Sequence, residues 1–477
     1  AWLTLLRDHG TLPLHRVMRF ALGYAGAGHP LTPRVAATIA AVAEHFRTSW
    51  PTSARLWCRA GSVPAAGEVV TNPDLAATYQ RLLDEAAAGG RNREAQIDAA
   101  YLAWYQGFVA AAIDVFCRTE VPDDSGAPHR GVLTGADLAG WRPAYEQPST
   151  VDWQGLTVCK AGAWSQGPVL LQQLRMLDGT VAFGSAGASA ELVHVSTEVA
   201  KLAFADREAW YGDVPDVPLE TLLSREYAAG RRSLIGPEAS YELRPGSPDG
   251  RTPQLPTLPG IAPAVAGGAG LGEPTTSRTG TTRGDTCHID VVDRAGNMVS
   301  ATPSGGWLQS SPTVPGLGFP LGTRAQMFWL EPGLPNSLAP FKRPRTTLSP
   351  TLIARDGVPV LSCGTPGGDQ QDQWQLCFLL GHVLGGLDLQ AAIDAPAWHT
   401  TAFPSSFYPH ESTPGGLVVE SRLGEDLIVD LRRRGHAVTV AGDWALGRLS
   451  AVSRDPGTGV LRAAANPRGM QGYAAGR

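Results

Sequence analysis

Thr286 stands where a hydroxyl nucleophile with a built-in base would have to stand. Nucleophilic catalysis needs a hydroxyl and a proton acceptor, and a chain-terminal threonine supplies both through its free α-amine. Such an amine has an ordinary pKa of roughly 7.7–8.0 and is usable near neutrality. Here Thr286 is internal, so its amine exists only once the bond between Asp285 and Thr286 is broken. A threonine in a strained turn can break that bond by attacking the preceding carbonyl, giving an ester that then hydrolyses. The other reading is a β-branched residue that simply opens a strand. His288, two residues on, shares a strand face with Thr286 and either orients it or packs in the core. Cys287 points the other way and reads as structural.

Two further stretches carry groups suited to such a reaction. Gly364-Thr-Pro-Gly-Gly-Asp369 precedes a helical pattern. Its adjacent glycines allow close backbone approach, and their N–H groups suit an oxyanion hole. A tight strand-to-helix turn with Asp369 as helix cap is equally consistent, and the two readings are compatible. Lys342-Arg-Pro-Arg-Thr-Thr-Leu-Ser-Pro350 packs cations and hydroxyls before a strand. It reads either as a grip on a substrate carboxylate or as a solvated charged loop. Gly268-Ala-Gly-Leu-Gly272 has no strand before it, which argues against a phosphate loop. The sequence contains no HExxH, GxSxG or Walker A pattern.

The elements that must position these residues change character at Thr286. Residues 236–284 hold 18 Gly or Pro and read as a flexible tail over 236–285. From Thr286 the pattern alternates up to a turn at Arg294-Ala-Gly-Asn297, which predicts a hairpin over 286–304. A second hairpin is expected over 349–363 around Arg355-Asp-Gly357, and a last one around Asp455–Gly459. The earlier part is mostly helical. Asn72-Pro-Asp-Leu75 is a helix start, residues 97–117 have helical spacing, and 189–211 predict an amphipathic helix from Ser189. Leu156–Cys159 is a short strand. Helices first, then strands mixed with helices, point to a layered sandwich.

The 477 residues are 43% hydrophobic and 17% charged, with a formal charge of −5. There is no basic surplus to suggest nucleic acid, and no run of about 18 apolar residues to suggest a membrane span. The cysteines Cys58, Cys117, Cys159, Cys287, Cys363 and Cys377 lack metal-like spacing and read as reduced core residues. That favours the cytoplasm, with a periplasmic or secreted protein as the alternative, since the chain opens without a methionine. No metal or other cofactor is expected.

Taken together, these motifs resemble the γ-glutamyltranspeptidase family along the whole chain. The marker series is Thr286-Cys-His, Gly296-Asn-Met-Val-Ser-Ala-Thr302-Pro-Ser304, Lys342–Pro350 and Gly364-Thr-Pro-Gly-Gly368. Asn72–Thr78, Leu133-Thr-Gly-Ala-Asp-Leu138 and Lys201-Leu-Ala-Phe-Ala-Asp-Arg207 are similar to the family's large subunit. The resemblance implies a four-layer αββα sandwich of the N-terminal nucleophile hydrolase type. It implies self-cleavage into a large subunit, 1–285, and a small catalytic subunit, 286–477, which remain partners, with higher oligomers allowed.

In the site it implies Thr286 as nucleophile, Ser304 as its hydroxyl partner, and Gly367 and Gly368 as oxyanion donors. His288 and Thr302 stand in support. Thr346 and Thr347 take the place of paired serines on the substrate's carboxylate, and Gln326 matches a glutamine of the glutamyl pocket. Three departures bear on the substrate. Gln326-Met-Phe-Trp329 puts Trp329 where the family has the acid that receives the substrate's α-ammonium, and Gly306 replaces an Asn or Gln. The stretch between Trp329 and Lys342 is too short for the lid of many members, and the family's carboxylate-binding arginine has no counterpart in these 477 residues. The expected activity is transfer of an acyl group from Thr286 to water or an amine. Substrates are γ-glutamyl amides or, with Trp329, glutaryl-like acyl amides. A C–C hydrolase of specialised metabolism and an unprocessed binding homologue are the rival readings.

Overall fold

The computed structural model describes all residues except 59–60, 124–125, 181–182, 185–186, 259–285, 306–307, 309, 469–471 and 477. Asp285, Gly306 and the Gly268–Gly272 run lie outside the described residues. The rest divide into two compact units, one formed by 1–145 with 308–323, the other by 146–258, 286–305 and 324–476.

The first unit is helical: α1 (Trp2–His9), α2 (Leu14–Ala27), α3 (Pro33–Thr48), α4 (Pro51–Trp57), α5 (Pro73–Ala88), α6 (Arg93–Tyr105), α7 (Phe108–Cys117) and α8 (Gly135–Gly140). Two-residue pairs β1 (His29–Pro30) with β2 (Val69–Val70), and β3 (Val121–Pro122) with β4 (Pro128–His129), close its loops. The Asn72 side chain accepts from Leu75 N–H at 3.1 Å and Pro73 follows, so α5 starts where the sequence predicts. Residues 93–117 together reach the length and apolarity of a membrane span. They break at Gln106-Gly107 into α6 and α7, whose buried residues Ile97, Ala100, Val109 and Ile113 face neighbouring elements. The expectation that no stretch of such apolarity exists is corrected accordingly.

The second unit is built on a six-stranded antiparallel sheet. Its strands are β5 (Ser149–Trp153), β6 (Leu156–Lys160), β9 (Thr351–Arg355), β10 (Val358–Gly364), β14 (Ser450–Arg454) and β15 (Leu461–Ala465). The spatial order is β15-β14-β10-β9-β6-β5. Gln154-Gly155 and Asp356-Gly357 both have positive φ at both residues, which matches the twist of the strands they join. Helices α9 (Pro168–Leu177), α10 (Ala190–Trp210) and α13 (Gln371–Leu379) cover one face through Leu170, Leu174, Phe204, Trp374 and Phe378. Hairpin β7 (Ile289–Val292) and β8 (Met298–Ala301) covers the other. Leu361 and Cys363 of β10 point to the helices, and Ser362 between them reaches the hairpin carbonyl of Val299 at 3.1 Å. Helices α11 (Leu219–Leu222), α12 (Arg225–Arg232) and α14 (Leu389–Asp394) complete the helical side. A small sheet of β11 (Trp398–Thr400), β12 (Gly416–Glu420) and β13 (Ala437–Ala441) carries α15 (Glu425–Arg433) between its parallel pair. The architecture is mixed α+β. Strands β5 and β6 precede residue 285, and β6 pairs with both β5 and β9, which follows that residue, so the expected cleavage point does not separate two folding units.

Two expectations change. Helix α10 starts after Ser189, whose side chain accepts from Leu192 N–H at 3.1 Å, but it is not amphipathic in use. Glu198, Lys201, Asp206, Arg207 and Glu208 are as buried as its apolar residues. The cause lies in the Gly/Pro-rich stretch read as flexible. Residues 236–246 run along α10, where Ser240 C=O accepts from Lys201 Nζ at 2.9 Å and Gly246 N–H donates to Asp206 at 2.7 Å. Composition alone makes 236–258 look loose; the buried charges of α10 hold it in place.

Candidate active site

The mouth of the β7–β8 hairpin assembles the first group. Ile289 pairs with Ala301, and the same register continues outward through side chains as the strands end. His288 Nδ1 lies 2.7 Å from Thr302 Oγ1, and Cys287 N–H donates to Pro303 C=O at 3.2 Å. One step further, Thr286 Oγ1 donates to Ser304 Oγ at 2.8 Å. Three successive rungs therefore set the position of Thr286, although the strand itself begins only at Ile289. Ser304 Oγ also accepts from Arg324 Nη2 at 2.6 Å. Two donors converge on Ser304, which leaves it accepting the Thr286 proton. Arg324 was missed in the sequence, where its signal was slight: residues 295–341 contain no other Lys or Arg.

His288 does not touch Thr286 through its ring. Its buried side chain sits between Thr302 and Asp290, with Nε2 2.9 Å from Asp290 Oδ2 yet without a formed hydrogen bond. Asp290 is held in turn by the hydroxyls of Ser300 at 3.2 Å, Ser450 at 2.9 Å and Ser362. Gly364 makes room for this ring, because a Cβ there would lie 2.2 Å from His288 Cε1. Cys287 is exposed, which corrects its reading as a core residue; Cys58, Cys117, Cys363 and Cys377 are buried, Cys159 is half-buried, and none of the six is in a disulfide.

The glycine loop follows β10. Gly367 has φ +144° and Gly368 φ +57°, conformations that a side chain resists, and a Cβ on Gly367 would meet Trp374 at 2.3 Å. Among the described residues neither glycine N–H has an acceptor within the protein. Asp369 is not a helix cap. Its buried carboxylate takes hydrogen bonds from Arg207 at 2.5 Å and from Ser406 Oγ at 2.6 Å and N–H at 2.9 Å. Burial pushes this carboxyl upward, yet Arg207 and Ser406 hold it below its ordinary pKa. A cavity of about 340 Å³ is lined by Thr286, His288, Asp290, Pro366, Arg448 and Tyr473 among others.

The segment 326–347 gives a mixed answer. Trp329 is buried and stacks on His410 with ring centres 3.8 Å apart, and its Nε1 has no acceptor. Gln326 lies in the short turn Arg324–Met327 beside Arg324. The cations of 342–345 are not available to a substrate. Lys342 Nζ donates to Ser337 C=O at 3.0 Å, Arg343 bonds Asp213 and Glu146, and buried Arg345 pairs with Glu208 at 2.7 Å. That corrects the guanidinium part of the carboxylate-grip reading. Of the hydroxyls, Thr346 Oγ1 accepts from Leu348 N–H at 3.2 Å, while Thr347 Oγ1 is buried with no partner.

Among the described residues one cluster has metal-like donors: His194, Glu198 and His436. Glu198 already faces Lys201 at 2.5 Å and Arg244 at 3.3 Å, and His194 is hydrogen-bonded to His436 at 2.9 Å. Two cations on the only carboxylate oppose a divalent ion there.

Known proteins resemble this chain along its whole length. A family model described as Gamma-glutamyltranspeptidase matches residues 1–476. The glutathione hydrolase-like YwrD proenzyme of Bacillus subtilis is 28% identical over 98% of this chain and 78% of its own length. The solved structure of LmbA2991HD is 57% identical with a TM-score of 0.93, covering 100% of this chain and 80% of that one. Cephalosporin acylase from Bacillus halodurans is 27% identical with a TM-score of 0.78, covering 99% and 76%.

Proposed function

Because the chain belongs to the gamma-glutamyltranspeptidase family, we propose that it is a self-processing amide hydrolase whose nucleophile is Thr286. The observation that carries this reading is the Thr286–Ser304 hydrogen bond of 2.8 Å at the mouth of a hairpin whose other residues fix its register. Cleavage before Thr286 frees the α-amine, which takes the Oγ1 proton as the oxygen attacks the substrate carbonyl. The N–H groups of Gly367 and Gly368 face the resulting oxyanion. As the intermediate collapses, the protonated α-amine gives that proton to the leaving nitrogen, so the amine departs and an ester remains on Thr286. Water then hydrolyses the ester with the regenerated α-amine as base. The complete fold in this reading is the four-layer αββα sandwich, of which the hairpin β7–β8 belongs to the second sheet.

The acyl group is one that lacks an α-ammonium, such as glutaryl. Trp329 offers a neutral, buried wall at the point where an ammonium would need a carboxylate, and a buried unpaired charge is costly. The hydroxyls of Thr346 and Thr347, with Gln326, remain to hold the far end of the acyl chain. Similarity to a cephalosporin acylase is compatible with this choice, as similarity to a glutathione hydrolase-like proenzyme is with a γ-glutamyl enzyme, so the choice rests on Trp329. Intact mass of the purified protein tests the reading. Two polypeptides divided at 285/286 are expected, and Thr286→Ala should give one uncut, inactive chain. An uncut wild-type chain would make the protein a binding homologue instead.

A further inference from the structure

The buried carboxylate of Asp369 joins two parts of the site that the chain leaves far apart. It directly follows Gly367-Gly368, and it is fixed by residues of the 403–411 loop. Besides Ser406, Ser405 Oγ donates to it at 3.3 Å. Arg207, fully buried on α10, closes the assembly. Its Nη1 reaches both Asp369 and, at 3.1 Å, Gln166 Oε1, while its Nη2 donates to Pro404 C=O at 2.9 Å. Gln166 Nε2 in turn lies 3.4 Å from the carbonyls of Gly368 and Asp369. The 403–411 loop also carries two residues that touch the segment 324–329. His410 stacks on Trp329, and the Phe407 ring lies 5.5 Å from the guanidinium of Arg324, which donates to Ser304.

We propose that Asp369 is a positioning residue that sets the glycine loop and the aromatic wall of the acyl pocket from one buried charge. It acts through others: through the peptide of Gly368 on the oxyanion side, and through Ser405 and Ser406 on the pocket side. Its counter-charge, Arg207, precedes the expected cleavage point and Asp369 follows it, so in a cleaved enzyme this contact spans both polypeptides. Other arrangements would hold a turn in place. A charged group shared by two segments makes their order interdependent: without it Ser405 and Ser406 lose their acceptor, and Arg207 is left with Gln166, Pro404 and its other buried partner Glu208. The catalytic half of the proposal rests on the hydrolase reading above; the coupling of the two segments does not.

Two variants and two readouts test it. Asp369→Asn keeps the shape and removes the charge, whereas Ser406→Ala removes only a link to the wall. In Asp369→Asn, amide hydrogen exchange should quicken in 364–370 and 404–411 together, while strand 351–355 stays protected. Ser406→Ala should quicken 404–411 alone. With a hydrolysable anilide, Asp369→Asn should lower kcat by ten- to a hundredfold with KM changed less than threefold, the pattern of a disturbed oxyanion site. Ser406→Ala should raise KM severalfold with kcat within twofold. If Asp369→Asn loosens only one segment, or neither, the coupling is wrong. Should both segments loosen while kcat per folded, cleaved enzyme stays within twofold, Asp369 is structural only. Failure of the hydrolase reading would show separately, as wild-type turnover that survives Thr286→Ala.

Discussion

Trp329→Asp is the substitution that decides which acyl group the pocket accepts. On the proposed reading a γ-glutamyl substrate brings its α-ammonium against Trp329, an indole that is buried and stacked on His410. Leaving a buried charge without its partner costs about 3–5 kcal/mol. At about 1.4 kcal/mol per decade this corresponds to about 10²–10⁴-fold in kcat/KM between substrates with and without the ammonium. The variant supplies the missing counter-charge but loses the ring stack and leaves space behind it, a change that costs about 3–5 kcal/mol of stability for a large buried aromatic. Kinetics are therefore read at 25 °C, below a melting transition measured first. The assay compares a γ-glutamyl anilide with the matching glutaryl anilide, and the quantity is the ratio of their kcat/KM values. Wild type should favour the glutaryl compound, and Trp329→Asp should move the ratio towards γ-glutamyl by at least tenfold. Trp329→Phe, which keeps an aromatic stack and adds no charge, should leave it in place. A folded, cleaved Trp329→Asp enzyme whose ratio moves less than threefold would refute the reasoning, as would a wild type that prefers the γ-glutamyl compound.

Ser304→Ala should slow turnover about tenfold with self-cleavage impaired, since a hydrogen bond in such a relay contributes about 1.5 kcal/mol; unchanged single-turnover rates would remove Ser304 from the reaction. Gly364→Ala places a Cβ 2.2 Å from the His288 ring, and overpacking of this kind costs about 1–3 kcal/mol. Its melting temperature and activity should fall together, and a crystal structure should show His288 displaced from Thr302. His399 is fully buried with no hydrogen-bond partner on either ring nitrogen, and burial lowers its pKa to about 3. Its folded pKa is thus below the unfolded value near 6.5, so its contribution is complete above pH 6.5 and is lost as pH falls towards 3. The slope is up to about 1.4 kcal/mol per pH unit for this group. Urea unfolding at pH 7.5 and 5.0 should show the loss in the wild type, and His399→Gln should flatten it by one proton.

Several elements were legible because the information is local. The turn residues Asp356-Gly357 carry positive φ in the structure, as the hairpin at 349–363 requires. Asn72 and Ser189 cap the helices that follow them. The failures share a cause as well. Helix α10 displays an apolar stripe, but the charges on its other side are matched by 236–246, a partner that no periodicity reveals. Asp369 has the position of a helix cap and instead serves Arg207 and Ser406, which lie 162 and 37 residues away in sequence. Arg345 and Arg343 suggest an anion grip until Glu208, Asp213 and Glu146 are seen to occupy them.

By itself the sequence determined that Thr286 precedes a strand and that glycines stand where a backbone must come close. These are properties of residue type and spacing. Only the tertiary structure decided that Thr286 and Arg324 converge on Ser304, that the His288 ring lies between Thr302 and Asp290, and that Trp329 is closed in by His410. Each is a meeting of groups with no signal in their own segments. Burial supplies the physical reason: once water is excluded, every donor and charge must find a partner, and distant segments are what the fold brings within reach.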